Sequence, residues 1–177
     1  GPSSGRRMTV FIDDINMPGQ AHAHFVRSPY AHARIRGIDS AKALQAQGVV
    51  AVLTGADMDA DGVGGIAGSA PVKNRDGSPL FVPARKAIAT DVARYTGEAV
   101  AVIIAESATQ AEDATELLEI DFEELPSVTK TDGALDPEAP VIWKCAGSNI
   151  ALDWETGDRA RTDAAFTNAA HVTEIDL

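Results

Sequence analysis

The chain has 177 residues, 45% hydrophobic and 23% charged, and its 15 Lys and Arg against 26 Asp and Glu give a formal net charge of −11. That length holds one domain of ordinary size, or one plus an extension, and the apolar fraction excludes disorder throughout. The acidity argues against nucleic acid as a partner, the single cysteine (Cys145) excludes a disulfide framework or a cysteine-built metal or iron–sulfur site, and no apolar run approaches the roughly 20 residues of a membrane helix.

Gly1–Gly5 reads GPSSG, a flexible tag remnant, and residues 1–7 are set apart from the fold as tag or disordered. The N-terminus lacks the apolar core of a secretory signal, which with the lone thiol points to a reducing cytoplasm. Two extended runs, Ala21–Val26 and Ala33–Ile38, are separated by Ser28-Pro29, because proline cannot donate to a sheet ladder. Asp39 and Ser40 offer N-caps for a short helix through Gln47, with Ala41 and Leu44 facing inward and Gly48 as its stop. Val49–Leu53 is a continuous apolar run of strand length, read as a buried strand.

Thr54–Pro83 is rich in Gly, Asp and Pro, and is either a long surface loop or a pair of irregular short strands. Lys86–Val92 reads as a further short strand, and Glu98–Ala105 as the best strand in the chain. Ser107 followed by Gln110 forms a capping-box pattern, and Ala108, Ala111, Ala114, Thr115 and Leu118 recur at helical spacing. Glu119–Leu125 alternates as a half-exposed strand stopped by Pro126. The segment 99–125 is thus strand–helix–strand, with a helix of suitable length for a crossover. Residues 127–160 read as a meandering connector, Asp163–Ala169 as one or two helical turns, and His171–Leu177 as the start of a strand.

Several motifs touch on chemistry. Asp57, Asp59 and Asp61 with Gly62 copy half a calcium loop, yet the twelfth position, which needs a bidentate Glu, is Gly68. Gly62–Ala67 fits the loose G-x-G-x-x-A dinucleotide pattern without the strand leading directly into it. His22 and His24 fall on one face of a strand, and a third metal ligand would have to come from elsewhere, with His32 or His171 available. Asp13-Asp14 and the group Glu116, Glu119, Asp121, Glu123 and Glu124 supply carboxylates whose spacing fits a solvated face. Ser28, Ser107 and Cys145 lack the local signature of a nucleophile. No autonomous active site emerges from the motifs.

Three stretches together carry a resemblance: DDINMPGQAHAHFVRSPYAHARIRGID (Asp13–Asp39), GVVAVLTGADM (Gly48–Met58) and VARYTGEAVAVIIAESATQAEDATELLEIDFEELP (Val92–Pro126). The sequence resembles the large subunit of the molybdenum hydroxylases, the xanthine dehydrogenase and aldehyde oxidase family, and is most similar to its carbon monoxide dehydrogenase-like members. The resemblance implies an α+β fold, the α/β-hammerhead of mixed short strands and two helices, over residues 8–126. Residues 127–177 would then be a C-terminal extension, a connector and the start of a molybdopterin-binding domain, so that the chain is a piece of something larger.

The activity so implied is hydroxylation of an aldehyde or N-heterocycle, or carbon monoxide oxidation, at molybdopterin-bound molybdenum. Electrons would leave through [2Fe-2S] clusters and FAD on other subunits or domains. The family's cofactor-contacting segments lie beyond the hammerhead, so the resemblance assigns no catalytic, cofactor-binding or metal residue to this chain. Arg27, Tyr30, His32, Gly97 and Glu98 match the family pattern as a brace of the strand junction or as a contact with a partner subunit or another domain. The implied partners are the rest of the large subunit and the iron–sulfur and FAD subunits. A second copy paired through His171–Leu177 is a further expectation. Two other readings are a stand-alone binding module with the same fold, and a small metal enzyme built on His22, His24 and the aspartates near Asp57.

Overall fold

A computed structural model describes residues 11, 15–66, 68 and 70–175. The Asp13-Asp14 pair, Gly1–Gly5, Ala67 and the last two residues lie outside the described residues. The chain divides into two compact units, one comprising Gly1–Ala67 and Ala84–Ile142 and the other Gly68–Pro83 and Trp143–Leu177.

The first unit holds six strands in two three-stranded sheets. These are β1 (His22–Arg27), β2 (Ala33–Asp39), β3 (Val49–Thr54), β4 (Val92–Ala93), β5 (Ala99–Ala105) and β6 (Glu119–Glu124). One sheet has the order β1-β5-β3 and the other β4-β2-β6, and every pairing is antiparallel. β5 is central, which explains its unbroken apolar sequence: Val100, Ala101, Val102, Ile103 and Ala105 are all buried. β2 and β6 instead alternate, as strands do when one face meets water.

The helices of this unit are short. α1 (Ala41–Leu44) is a single turn begun by the Asp39 carboxylate, which accepts from the Ala41 N–H at 2.9 Å. Its inward residue is Ala43, fully buried, whereas Leu44 is exposed and Ala41 faces water, contrary to the sequence expectation. Gly48 takes φ +79° beyond it, and a Cβ there would collide with the Gln110 side chain. α3 (Ala108–Asp113) starts where expected, with Ser107 Oγ accepting from Gln110 N. It tightens into a 3-10 turn over Ala114–Leu117, and Ala111 and Ala114 form its buried stripe. Ala43, Val52, Ile103 and Ala114 make one core cluster, and Ala89, Ala93 and Val100 make a second.

Three expectations are corrected. Thr54–Pro83 is not irregular from its start, because Gly55–Ala60 forms a helix, α2. The Asp57 carboxylate accepts from Thr54 N at 2.7 Å and Thr54 Oγ1 at 2.6 Å, closing its first turn. Second, Lys86–Val92 is not a strand: only Val92–Ala93 pairs as β4, while Ile88 and Ala89 are buried as packing residues. Third, the segment 99–125 is not a crossover within one sheet. β5 already has β1 and β3 on its two edges, so α3 carries the chain into the other sheet, where β6 pairs with β2.

In the second unit, a turn around Asn74–Ser78 is clasped to residues 151–155. Arg75 Nη2 meets Asp153 Oδ2 at 2.7 Å, its Nη1 meets Glu155 Oε2 at 3.1 Å, and Phe81 N donates to Ala151 O at 3.0 Å. α4 (Arg159–Thr167) begins four residues earlier than expected, because the Asp158 carboxylate caps the Arg161 N–H at 3.0 Å. The expected strand at His171–Leu177 is corrected: residues 171–175 form no strand. Among the described residues no helix is long and apolar enough to cross a membrane.

Candidate functional site

Two of the five connections that carry the chain between the sheets meet each other. β1 ends at Arg27, and Ser28-Pro29 turns the chain toward β2; β4 ends at Ala93, and Arg94–Glu98 turns it toward β5. Ser28 N donates to Glu98 O, Gly97 N donates to Ser28 O, and Arg27 Nη1 donates to Gly97 O, each at 2.8 Å. Gly97 has φ +91°, a left-handed conformation that glycine takes without steric penalty and that aims its N–H and carbonyl at the facing turn. Arg27 also lies 6.0 Å from the Phe25 ring centroid, within cation–π range.

Ser28 is 2% exposed, and its bracing role is what sequence reasoning missed: it reads there as a strand break and as a serine without a nucleophile's signature. Its Oγ accepts from Tyr30 N at 3.1 Å and lies 3.2 Å from Tyr30 O, a local side-chain turn that fixes the step before β2. Serine before proline is a turn signal, but the 70-residue separation between Arg27 and Gly97 leaves no mark in local spacing. The Tyr30 ring tilts 56° onto Phe122 of β6 with centroids 5.3 Å apart.

His32 works at a separate point of the same seam. Its Nδ1 lies 2.7 Å from Pro126 O, and since a carbonyl only accepts, Nδ1 carries the proton. The His32 carbonyl accepts from Leu125 N at 2.9 Å, so this residue fastens the end of β6. Of the five residues singled out, Arg27, Gly97 and Glu98 are thus joined through Ser28, Tyr30 is attached through the Ser28 hydroxyl, and His32 stands apart.

Glu98 is the electrostatically unusual member. Partial burial raises its carboxyl above the ordinary glutamate range, opposed by the Arg94 N–H it accepts from and by the Arg94 charge. A carboxyl raised in the folded state adds stability that is complete below the unfolded pKa and fades as pH rises through the folded one. Glu98→Gln, which keeps an acceptor and removes the charge, should therefore raise the melting temperature at pH 7. That advantage should vanish as pH falls below about 4.3, the ordinary glutamate value. Glu98→Ala should instead lose roughly 1 kcal/mol at pH 7 by leaving the Arg94 N–H without this acceptor. Thermal melts of the three proteins between pH 3 and 7 decide it, and a Gln variant whose advantage over the parent is no larger at pH 7 than at pH 3 contradicts it.

The metal and nucleotide motifs are used otherwise. Asp59 is bound by Lys86 Nζ at 2.6 Å and by Thr90 Oγ1 at 3.1 Å, and Asp57 caps α2, so the half calcium loop is spent on a helix and its anchor. Those bonds also hold both carboxyls below the usual range, through Thr54 at Asp57 and Lys86 at Asp59. Gly62 follows a helix, not a strand, and Ile66 bridges Arg85, so the described part of Gly62–Ala67 is not a strand-to-helix phosphate turn. His22 and His24 do share a face of β1, yet no group of three His, Cys, Asp or Glu suited to a metal occurs among the described residues. Of the carboxylates read as a solvated face, Glu123 sits 3.2 Å from Arg34 and Arg36, and Glu119 pairs with Lys42.

The fit to the cofactors implied by the resemblance is poor in this chain. A [2Fe-2S] cluster takes four cysteine ligands, and the chain has one cysteine, exposed. The buried polar side chains among the described residues, Ser28 and His32, are both engaged by backbone, so neither is aimed at a pterin or flavin.

Two open sheets joined by a seam of backbone exchanges, with short helices between strands, make this an α+β domain. The chain belongs to the aldehyde oxidase and xanthine dehydrogenase family, whose a/b hammerhead domain matches residues 6–126. It is 33% identical to the carbon monoxide dehydrogenase large chain of Afipia carboxidovorans, over 93% of this chain and 20% of that protein. It is 36% identical to the nicotine 6-hydroxylase large subunit of Paenarthrobacter nicotinovorans, over 92% of this chain and 19% of that one. Quinoline 2-oxidoreductase from Pseudomonas putida 86 superimposes with a TM-score of 0.72 at 37% identity, over 80% of this chain and 17% of the other. A Cu,Mo-CO dehydrogenase superimposes with a TM-score of 0.74 at 30% identity, over 92% and 20%. The chain thus spans about a fifth of the length of these relatives.

Proposed function

We propose that this chain is the hammerhead part of the large subunit of a molybdenum hydroxylase, an oxidoreductase that hydroxylates an aldehyde or N-heterocycle or oxidises carbon monoxide. Its own role is structural: it presents a braced two-sheet scaffold on which the cofactor-bearing part of the subunit is assembled. The observation that carries this reading is the asymmetry of coverage, above nine-tenths of this chain against a fifth of the carbon monoxide dehydrogenase large chain. The relatives' names span carbon monoxide, nicotine, quinoline and xanthine, so a domain common to all of them is a poor place for substrate choice.

On this reading residues 8–126 are the hammerhead, and 127–177 lead into a molybdopterin-binding domain. Molybdenum is held there, iron–sulfur and FAD subunits take the electrons, and the complex works in the cytoplasm. Arg27, Tyr30, His32, Gly97 and Glu98 brace the junction and touch no reacting atom. Metal analysis tests the division of labour. The 177-residue chain should purify without stoichiometric molybdenum, iron or zinc and without hydroxylase activity, whereas the full-length large subunit in its complex should hold molybdenum. Stoichiometric molybdenum on the 177 residues alone would overturn it.

A further inference from the structure

The chain contains three Asp-Gly pairs, Asp61-Gly62, Asp76-Gly77 and Asp132-Gly133, and all three aspartates are exposed. An aspartate before glycine can cyclise, because no Cβ on the following residue keeps its amide nitrogen from the side-chain carboxyl. Exposure does not separate the three pairs, but the hydrogen bonds of each nitrogen and carboxyl do. Gly77 N is committed to Asn74 O at 2.8 Å, and Asp76 Oδ1 is held by Ser78 Oγ at 2.6 Å and Ser78 N at 2.9 Å. Those Ser78 bonds also keep the Asp76 carboxyl below the usual aspartate range, which depletes the protonated acid that cyclises. Gly62 N donates to Asp59 O at 3.1 Å, in the turn that ends α2.

Asp132 is arranged differently. It opens a 3-10 turn over Asp132–Leu135, and Gly133 N lies 2.8 Å from Oδ1 of Asp132 itself. Nucleophile and carboxyl are thus already in contact, at the kind of separation from which positioned groups react. We infer that Asp132 is a site of spontaneous backbone modification, at which the chain isomerises to isoaspartate through a cyclic imide. Gly133 N forms a bond to Asp132 Cγ, and one carboxyl oxygen leaves as water with the carboxyl and amide protons. Water then opens the ring. Attack at Cγ restores aspartate, whereas attack at the main-chain carbonyl carbon breaks its bond to Gly133 N and leaves the chain running through Cγ. No atom is gained or lost overall, and water is the only co-reactant. The product has one more carbon in its backbone, so it pulls apart the bonds from Ala134 N to Thr131 O and from Asp136 N to Gly133 O. The inference does not depend on the proposed function.

The test is peptide mapping of the 177-residue chain during incubation at pH 6 and 37 °C, folded and in concentrated urea. Trypsin puts the three pairs on separate peptides, 43–73, 76–85 and 131–144. Isoaspartate is read as an isomer of unchanged mass that resists an endoprotease cutting before aspartate. Asp136 shares the last peptide, but Pro137 has no N–H and cannot close the ring. In the folded chain, isoaspartate in 131–144 should form roughly tenfold faster than in 76–85, and faster than in 43–73. In urea the three should form it at similar rates. Gly133→Ala should slow the reaction at Asp132 by roughly tenfold without disturbing the fold. A Cβ there meets nothing nearer than Asp136 Oδ2 at 3.8 Å, and Gly133 is not among the left-handed glycines. Equal rates for the three peptides in the folded chain overturn the inference. A lead for 131–144 that persists undiminished in urea also overturns it, because the cause is then the local sequence and not the turn.

Discussion

Ile103→Ala should destabilise the first unit by about 2–5 kcal/mol, a large share of the 5–15 kcal/mol typical of a whole domain. Ile103 is fully buried in the middle of β5, beside His24 of β1 and Val52 of β3. Ala43 of α1 and Ala114 of the turn after α3 pack against it, and Val26, Ala46, Val49 and Leu118 close the cluster. Those neighbours are small or already committed, so the space left by three missing carbons cannot be refilled by a rotamer change. The sheet cannot collapse inward either, because β5 is hydrogen-bonded on both edges. Ile103→Val removes one carbon and should lose only about 0.5–1.5 kcal/mol. Urea denaturation measures both, and a loss below 1 kcal/mol for the alanine variant would mean that the helices can close onto the sheet.

The central strand is also where the sequence was easiest to read. Seven apolar residues in a row at β5, flanked by polar turns, leave little choice but a strand covered on both faces, and the period-2 pattern of β6 is equally direct. α2 was missed because Gly-Ala-Asp-Met-Asp-Ala has no apolar stripe. Its signal was the Thr54-x-x-Asp57 cap, the same reasoning that placed α3 behind Ser107. Lys86–Val92 misled because burial of Ile88 and Ala89 resembles strand burial in sequence, although that stretch makes single bonds such as Ala89 N to Ala99 O at 2.8 Å, not a ladder. The crossover misled because strand–helix–strand is a local pattern, whereas sheet membership depends on which edges of β5 are free. The seam was legible only through family resemblance. Arg27 with Gly97 and His32 with Pro126 are pairs separated by 70 and 94 residues, and no local spacing encodes them.

Gly55→Ala should be the other severe substitution, and for a reason of space alone. Alanine normally favours a helix over glycine by about 0.5–1 kcal/mol, so a substitution within α2 would ordinarily help. Here a Cβ at position 55 would lie 2.5 Å from Ala89 O, 2.7 Å from Thr90 Cα and 2.8 Å from Ala89 C, all backbone atoms. None of these is the end of a flexible side chain. The Ala89 segment is held to β5 through Ala89 N and sits in the second core cluster, so yielding there disturbs Val100 and Ala93 as well. Moving α2 instead pulls Asp59 away from Lys86 and Thr90, an exposed anchor worth up to about 1 kcal/mol. Either route makes the net change a loss of about 1–3 kcal/mol, the usual range for overpacking, where propensity alone predicts a gain. Gly62→Ala separates the two causes. That position has φ +69° and nothing within 4 Å of a Cβ, so it should lose about 1–2 kcal/mol through backbone strain, with the Asp59–Lys86 pair intact. A double-mutant cycle with Asp59→Asn reads the difference: Gly55→Ala should couple to it and Gly62→Ala should not. A Gly55→Ala protein as stable as the parent would show that the contact between α2 and Ala89 is loose, and that α2 is held by its cap and by Lys86 alone.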